Sequence, residues 1–145
     1  MKLMVNIDVD DVGKAVRFYG KALGLKVARR LGDSIVELAG AGAPVYLLAK
    51  APGSRAAGSI SQSRDYLRHW TPVHLDFAVK DIAGATKRAL AAGAAQEGEI
   101  ERHAWGDIAH LADPFGHGFC LIEFRGRGYD EIATDESGKP IVRQD

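Results

Sequence analysis

The sequence is poor in cysteine and has no long apolar run. Its single cysteine, Cys120, excludes an intramolecular disulfide and a cysteine-rich zinc module. No apolar segment approaches the ~18 residues that a membrane span needs. Acidic residues interrupt the apolar residues that follow Met1, so no export signal is recognised. These absences predict a cytoplasmic protein with no membrane partner.

The sequence also lacks a charge surplus. Lysine plus arginine count 19 and aspartate plus glutamate count 19, so the formal net charge is zero. A phosphate backbone is bound by a basic excess, and we therefore expect no nucleic-acid partner. With 46% apolar and 26% charged residues in 145, the chain has the composition of one globular domain.

What the sequence does contain is an internal repeat. Residues 4–19 match residues 74–89 after a shift of 70 positions, with Asp11 falling on Asp81. Each copy opens with apolar residues at every second position, which predicts a strand. Asp11 and Asp81 are suitable N-caps for a following helix, and Gly24 and Gly93 are suitable stops. The alternating apolar residues are Leu3, Val5, Ile7 and Val9, then Val73, Leu75, Phe77 and Val79.

Three short strand patterns follow each predicted helix. They cover residues 25–31, 34–39 and 45–49 in the first copy, and 95–102, 107–112 and 118–124 in the second. The segment Asp113-Pro-Phe-Gly116 has the composition of a type I turn. The sequence therefore predicts an α+β fold of two tandem βαβββ modules, residues 1–50 and 72–125. A linker (51–71) joins them, and a polar tail (126–145) follows.

Two such modules, with Phe18-Tyr-x-x-x-Leu-Gly24 in the first and Asp113-Pro-Phe-Gly116 in the second, resemble the vicinal oxygen chelate superfamily. That group includes glyoxalase I, fosfomycin-resistance enzymes, extradiol dioxygenases and bleomycin-binding proteins. The resemblance covers about residues 1–125. It implies a curved, cup-shaped mixed sheet with the helices on its outer face.

The resemblance also implies where a metal would bind. Family enzymes place a ligand in the first strand of each module and a glutamate in a final strand. Here those positions hold Met4, His74 and Cys120, of which only His74 is a usual ligand. Glu123 lies three residues past Cys120, and this odd offset puts it on the opposite face of the strand. No cofactor is firmly implied; zinc, iron, nickel or manganese would have His74 as a ligand. A softer zinc or copper site of His74, His110 and Cys120 is an alternative without a spacing motif.

Strand alternation predicts a polar cup around these positions. Trp105 and His103 flank a hairpin and are placed at the rim, while His69 and Trp70 approach from the linker. Cys120 is either a nucleophile with His110 as base or a buried apolar residue, and its apolar neighbours favour the second interpretation. The predicted substrate-binding residues are Met4, Asn6, His74, Asp76, His103, Trp105, His110 and Cys120, with Asp8 also in the cup.

Three functions compete. A metal-dependent lyase, isomerase or dioxygenase would use His74 as ligand and His110 or Asp76 as the catalytic base or orienting group. A bleomycin-resistance-like protein would bind a small molecule in the cup without a complete metal site. An interaction module would fill the cup with its own side chains. The missing ligands favour the second function. Free strand edges predict a homodimer as well.

Overall fold

The structure, a computed structural model, describes residues 1–140 and contains two βαβββ modules. The first comprises β1 (Val5–Val9), α1 (Val12–Leu23), β2 (Lys26–Leu31), β3 (Ile35–Ala39) and β4 (Val45–Ala49). The second comprises β5 (Leu75–Ala78), α2 (Ile82–Ala92), β6 (Ala95–Gln96), β7 (Glu101–His103), β8 (Gly106–Ala112) and β9 (Gly118–Phe124). A 3₁₀ helix (Gly128–Glu131) follows. The predicted α+β class is confirmed.

The two modules have the same strand topology. The first sheet has the order β1-β4-β3-β2 and the second β5-β9-β8-β6, with β7 also paired to β8. The first strand of each module runs parallel to the last, and all other pairs are antiparallel. The internal repeat is therefore a structural repeat.

Strand boundaries differ from the prediction at several positions. The predicted strand 95–102 is divided into β6 and β7 because Gly98, with φ at 87°, leaves the extended region between them. The first strands begin at Val5 and Leu75, two residues later than the alternation indicated. β5 also ends at Ala78, so Val73 and Val79 lie outside it.

The predicted helix ends are confirmed. The Asp11 carboxylate accepts from Lys14 N at 2.8 Å, and the Asp81 carboxylate accepts from Gly84 N at 2.9 Å. Each bond satisfies an amide of the first helical turn that has no partner within the helix. Gly24 adopts φ 71° just past α1, a left-handed conformation that a residue with a Cβ rarely adopts.

The modules pack together through their helices and through one buried polar contact. α1 lies against α2, and the Phe18 ring meets the Phe119 ring edge-on at 6.3 Å. The Tyr19 hydroxyl donates to Asp113 Oδ2 at 2.6 Å in a buried setting. Burial and the Asp113 carboxylate raise the pKa of Tyr19 well above its usual value, so the phenol stays a donor. The first helix is thereby joined to the Asp-Pro turn of the second module.

The predicted linker packs against both modules. Arg64 Nε donates to Asp8 Oδ2 at 2.6 Å, and the Tyr66 hydroxyl donates to Lys50 O at 2.7 Å. Farther along, His69 N donates to Gly116 O at 3.2 Å. The start of the predicted tail also packs, since the Tyr129 ring lies 4.9 Å from that of Phe124. Residues 141–145 of that tail lie outside the described residues.

Two expectations about partners concern the surface of the fold. Within residues 1–140, neither helix is long and apolar enough to cross a membrane. β2 is an edge strand that is exposed along its whole length, and it carries Arg29 and Arg30. Charged side chains on an edge discourage non-specific pairing. The homodimer stays a prediction.

The Tyr19→Phe substitution removes only the hydroxyl group, and with it the hydrogen bond that Tyr19 donates to Asp113. We expect the free energy of unfolding to fall by about 1–3 kcal/mol, because Asp113 loses a buried hydrogen bond. Urea denaturation measures the difference. The control is Thr86→Val, since the buried Thr86 hydroxyl has no hydrogen-bond partner in the described part of the chain. This control should lose no stability, and an equal loss in both variants would refute the role given to Tyr19.

Candidate functional site

The strand register of the second sheet brings three polar side chains to one face. Asp76 on β5 pairs with Cys120 on β9, and Cys120 pairs with His110 on β8. Residues opposite each other in a ladder point to the same side of the sheet. The other side faces the helices, where Glu123 accepts from Ile82 N at 2.8 Å and so supports the start of α2. The face predicted for Glu123, away from the cup, is confirmed.

His74 completes a compact cluster at this face. It lies just before β5, and its Nε2 is 3.1 Å from Asp76 Oδ1. One ligand-type atom from each of His74, Asp76 and Cys120 lies within 4.8 Å of the others. His74 and Asp76 are exposed, whereas Cys120 is 3% exposed. The cluster therefore presents an imidazole and a carboxylate to solvent above a buried thiol.

The Cys120 thiol is held in its protonated form. Burial raises its pKa to about 12, and the neighbouring Asp76 carboxylate adds to the effect, followed by Glu101 and Glu97. Negative charges and an apolar environment both disfavour a thiolate. At neutral pH this residue is a buried thiol, as the apolar interpretation of the sequence predicted, and a nucleophilic role has no electrostatic support.

Two adjoining hollows flank the cluster. The smaller, about 360 Å³, lies between the linker and the second sheet. The larger, about 710 Å³, lies between β1, β5 and the linker. Thr71, His74, Gly118 and Phe119 line both hollows, so His74 stands on their common boundary. The remaining lining of the smaller hollow is Arg68, Trp70, Glu97, His110, Leu111 and Cys120.

The smaller hollow contains an ion pair that the sequence did not reveal. Arg68 Nε lies 2.5 Å from Glu97 Oε1, and Arg68 Nη2 lies 2.9 Å from Glu97 Oε2. This two-point contact lowers the pKa of Glu97. The partners are 29 residues apart, and neither belongs to a recognisable motif. His110 Nδ1 is 3.8 Å from Glu101 Oε1 on the neighbouring strand β7.

The predicted site residues separate into two groups. Asn6, Asp8 and His69 line the larger hollow, Trp70, His110 and Cys120 line the smaller one, and His74 lines both. Asp76 joins them through its contacts with His74 and Cys120.

Met4, His103 and Trp105 line neither hollow. Met4 precedes β1 and is 53% exposed. The His103 ring stacks on Trp105 at 5.0 Å, and Trp105 lies 5.1 Å from Tyr129 in an aromatic cluster that includes Phe124. The binding roles of Met4, His103 and Trp105 stay predictions that these positions do not support.

Residues 4–122 match the family model described as a glyoxalase-like domain. The chain belongs to this family. The match confirms the resemblance to the vicinal oxygen chelate superfamily, and it spans both modules and the linker between them.

Two curated relatives are anthracycline biosynthesis proteins of Streptomyces. The chain is 32% identical over 135 residues to the anthracycline biosynthesis protein DnrV of Streptomyces peucetius, covering 92% of this chain and 44% of that protein. It is 31% identical over 123 residues to DauV of Streptomyces sp. (strain C5), covering 83% and 40%. The chain spans less than half the length of these relatives.

Among solved structures, a Mn(II) complex of the fosfomycin resistance protein FosX from Listeria monocytogenes is similar with a TM-score of 0.64. The sequences are 18% identical, and the similarity covers 88% of this chain and 89% of that chain. At this identity the similarity shows a shared fold.

The His74–Asp76–Cys120 cluster does not fit a manganese-type ion. Such ions prefer oxygen ligands, whereas one of the three donors here is a sulfur atom. Zinc accepts thiolate and imidazole, but it binds the deprotonated sulfur, so its binding here must release a proton from a thiol that is 3% exposed. Asp76 is also already engaged by His74 at 3.1 Å.

The protonated state of Cys120 is testable by alkylation. Asp76→Asn removes the nearest negative charge, so the thiol pKa should fall and the pH profile of iodoacetamide labelling should shift to lower pH. At pH 8 we expect the labelling rate to rise at least about threefold, since one pKa unit changes the thiolate fraction tenfold. Asp33→Asn, in the exposed turn between β2 and β3, is the control and should label like the unmodified protein. Identical profiles for both variants would exclude an effect of Asp76 on the thiol.

Proposed function

We propose that the chain binds a small organic molecule with a flat apolar body in the two adjoining hollows, without metal-dependent chemistry. The observation that carries this proposal is the continuity of the hollows around His74. A site of several hundred cubic ångströms with apolar walls and a few converging polar groups is typical of small-molecule sites.

Apolar side chains surround this site without being covered. Trp70 lines the smaller hollow and is 79% exposed, and Val73 lines the larger hollow and is 78% exposed. Leu3, on the opposite wall of the larger hollow, is also exposed. Contiguous exposed apolar groups around a concavity favour a ligand that removes them from water.

The polar groups of the site suit a neutral ligand that bears oxygens. His110, His74 and Asn6 offer donors and acceptors for hydroxyl or ketone groups. The strongest charges in the smaller hollow, Arg68 and Glu97, already neutralise each other. A fused-ring aromatic ketone carrying hydroxyl groups has both the flat body and the oxygens. The relation to two anthracycline biosynthesis proteins supports this ligand class, although only the part of those proteins that this chain spans enters the argument.

Binding can be followed by the fluorescence of Trp70 in a Trp105→Phe background, because the chain has two tryptophans. Titration with an uncharged anthracycline aglycone should quench the Trp70 fluorescence saturably. Val73→Asp should raise the dissociation constant at least about tenfold, because a charge at the wall would be desolvated against the ligand.

The matched control is Leu90→Asp, which places the same charge at an exposed apolar position of α2 outside both hollows. It should bind within about twofold of its parent, which corresponds to less than half a kcal/mol. Quenching that does not saturate, or equal weakening by both aspartates, would refute the proposed site.

A metal-dependent enzyme is the second candidate, favoured by the proximity of the His74, Asp76 and Cys120 donor atoms. In that case His74 would hold the ion, and His110 or Asp76 would serve as base. The measurement is elemental mass spectrometry of untagged protein purified without chelator, beside His74→Ala. We expect both proteins to carry less than about a tenth of an equivalent of manganese, iron, nickel or zinc, because the donor set combines a buried sulfur atom with a carboxylate that His74 already contacts. About one equivalent that is lost in His74→Ala would establish the enzyme candidate instead.

A further inference from the structure

Two histidines outside the His74 cluster meet between the linker and the Asp-Pro turn. His117 Nδ1 lies 3.1 Å from His69 Nε2. The other nitrogen of each ring faces a backbone carbonyl: His117 Nε2 is 2.7 Å from Asp8 O, and His69 Nδ1 is 2.9 Å from Leu67 O. All four ring nitrogens therefore have a partner at hydrogen-bond distance.

The carbonyl contacts fix where the protons lie. A carbonyl oxygen only accepts, so both nitrogens that face carbonyls must carry hydrogen. A neutral imidazole has one N–H, and each ring has now used it. The two remaining nitrogens, which face each other at 3.1 Å, would then both present lone pairs. Two acceptors at this distance repel each other, whereas one additional proton converts the contact into an N–H···N hydrogen bond.

We propose that His69 and His117 share a single additional proton, and that this proton fastens the linker over the larger hollow. With zero additional protons the facing nitrogens repel, and with two their hydrogens collide. The contact is favourable only with one. His69 and His117 both line the larger hollow, so the protonation state of the pair decides whether this wall is in place. This fastening of the linker is independent of which molecule the hollow binds.

The charged groups around the pair are engaged in contacts of their own. Asp8, on β1, has its carboxylate paired with Arg64 of the linker, and Arg68 is paired with Glu97 of the second module. The Asp113 carboxylate accepts from His117 N at 2.9 Å and is otherwise bonded to the neutral donors Tyr19 and Phe115. Asp113 thereby holds the backbone of His117 beside His69. The neighbouring rings are Tyr66, edge-on to His117, and His74 in the same hollow.

The pair also anchors the linker mechanically. His69 N donates to Gly116 O at 3.2 Å, immediately before His117 in the chain. The Arg68 guanidinium contacts the His69 carbonyl as well. Loss of the shared proton would therefore loosen a segment that forms one side of both hollows, since Arg68 and Trp70 line the smaller one.

The expected pH dependence has two limbs. On the alkaline side the closed linker holds one proton that the open linker does not, so opening releases a proton and rises about tenfold per pH unit. Below about pH 6.5 free imidazoles become protonated. The open pair then holds two additional protons, whereas the closed pair holds one. Opening then rises again as the pH falls. The linker should be best fastened at an intermediate pH.

The experiment is an NMR measurement on the ¹⁵N-labelled protein from pH 5 to pH 9. The protection of the His69 backbone amide against hydrogen exchange, relative to the intrinsic rate, reports linker opening. Ring-nitrogen correlations report which nitrogens carry hydrogen. We expect maximal protection at intermediate pH, an alkaline decrease of about tenfold per unit, and three N–H groups in the two rings at the maximum.

The decisive variant is His69→Gln. The introduced amide can donate to His117 Nδ1 without an additional proton, so the alkaline decrease should disappear while the protein stays folded. His103→Gln, which changes a histidine of the aromatic cluster, is the control and should keep both limbs. Flat or one-sided protection in the unmodified protein would overturn the proposal. So would neutral rings in the protected state, or an unchanged alkaline limb in His69→Gln.

Discussion

The buried carboxylate of Asp113 is the interaction on which the arrangement of the two modules depends. It accepts from the Tyr19 hydroxyl of the first module and from Phe115 N and His117 N of its own turn. These bonds shape the turn and join it to α1. They also position the His117 ring to reach Asp8 O on β1. Since the larger hollow lies between β1, β5, the linker and this turn, Asp113 helps to align its walls.

The site combines polar groups with little free charge. Arg64 of the linker is paired with Asp8, and Arg68 of the linker is paired with Glu97. The charges of these two guanidinium groups are therefore balanced beside the hollows. The Cys120 thiol keeps its proton because burial and the Asp76 carboxylate raise its pKa. The fold is shared with a Mn(II) complex of FosX, whereas the cluster of His74, Asp76 and Cys120 in this chain includes a buried sulfur atom. Binding of an oxygen-bearing aromatic molecule is the function these features favour together.

The histidines perform different tasks because their surroundings differ. His74 faces Asp76 at the common boundary of the hollows, and His103 stacks on Trp105 at the far end of the sheet. His117 and His69 are held by two carbonyls, which leave one nitrogen of each ring facing the other. Local hydrogen bonding, rather than residue type, decides whether an imidazole serves as a surface group, a stacking partner or a proton holder.

The sequence by itself determined the repeated module, the helix caps at Asp11 and Asp81, and the shared face of Asp76, His110 and Cys120. These follow from local rules, since alternation and capping act within a few residues. The tertiary structure alone decided the Arg68–Glu97 pair, the removal of His103 and Trp105 into an aromatic cluster, and the meeting of His69 with His117. Those contacts join residues that are distant in the chain, or they depend on how the linker and the β7–β8 hairpin pack. No periodicity in the sequence encodes such packing, because these contacts form only when the two modules and their linker pack together.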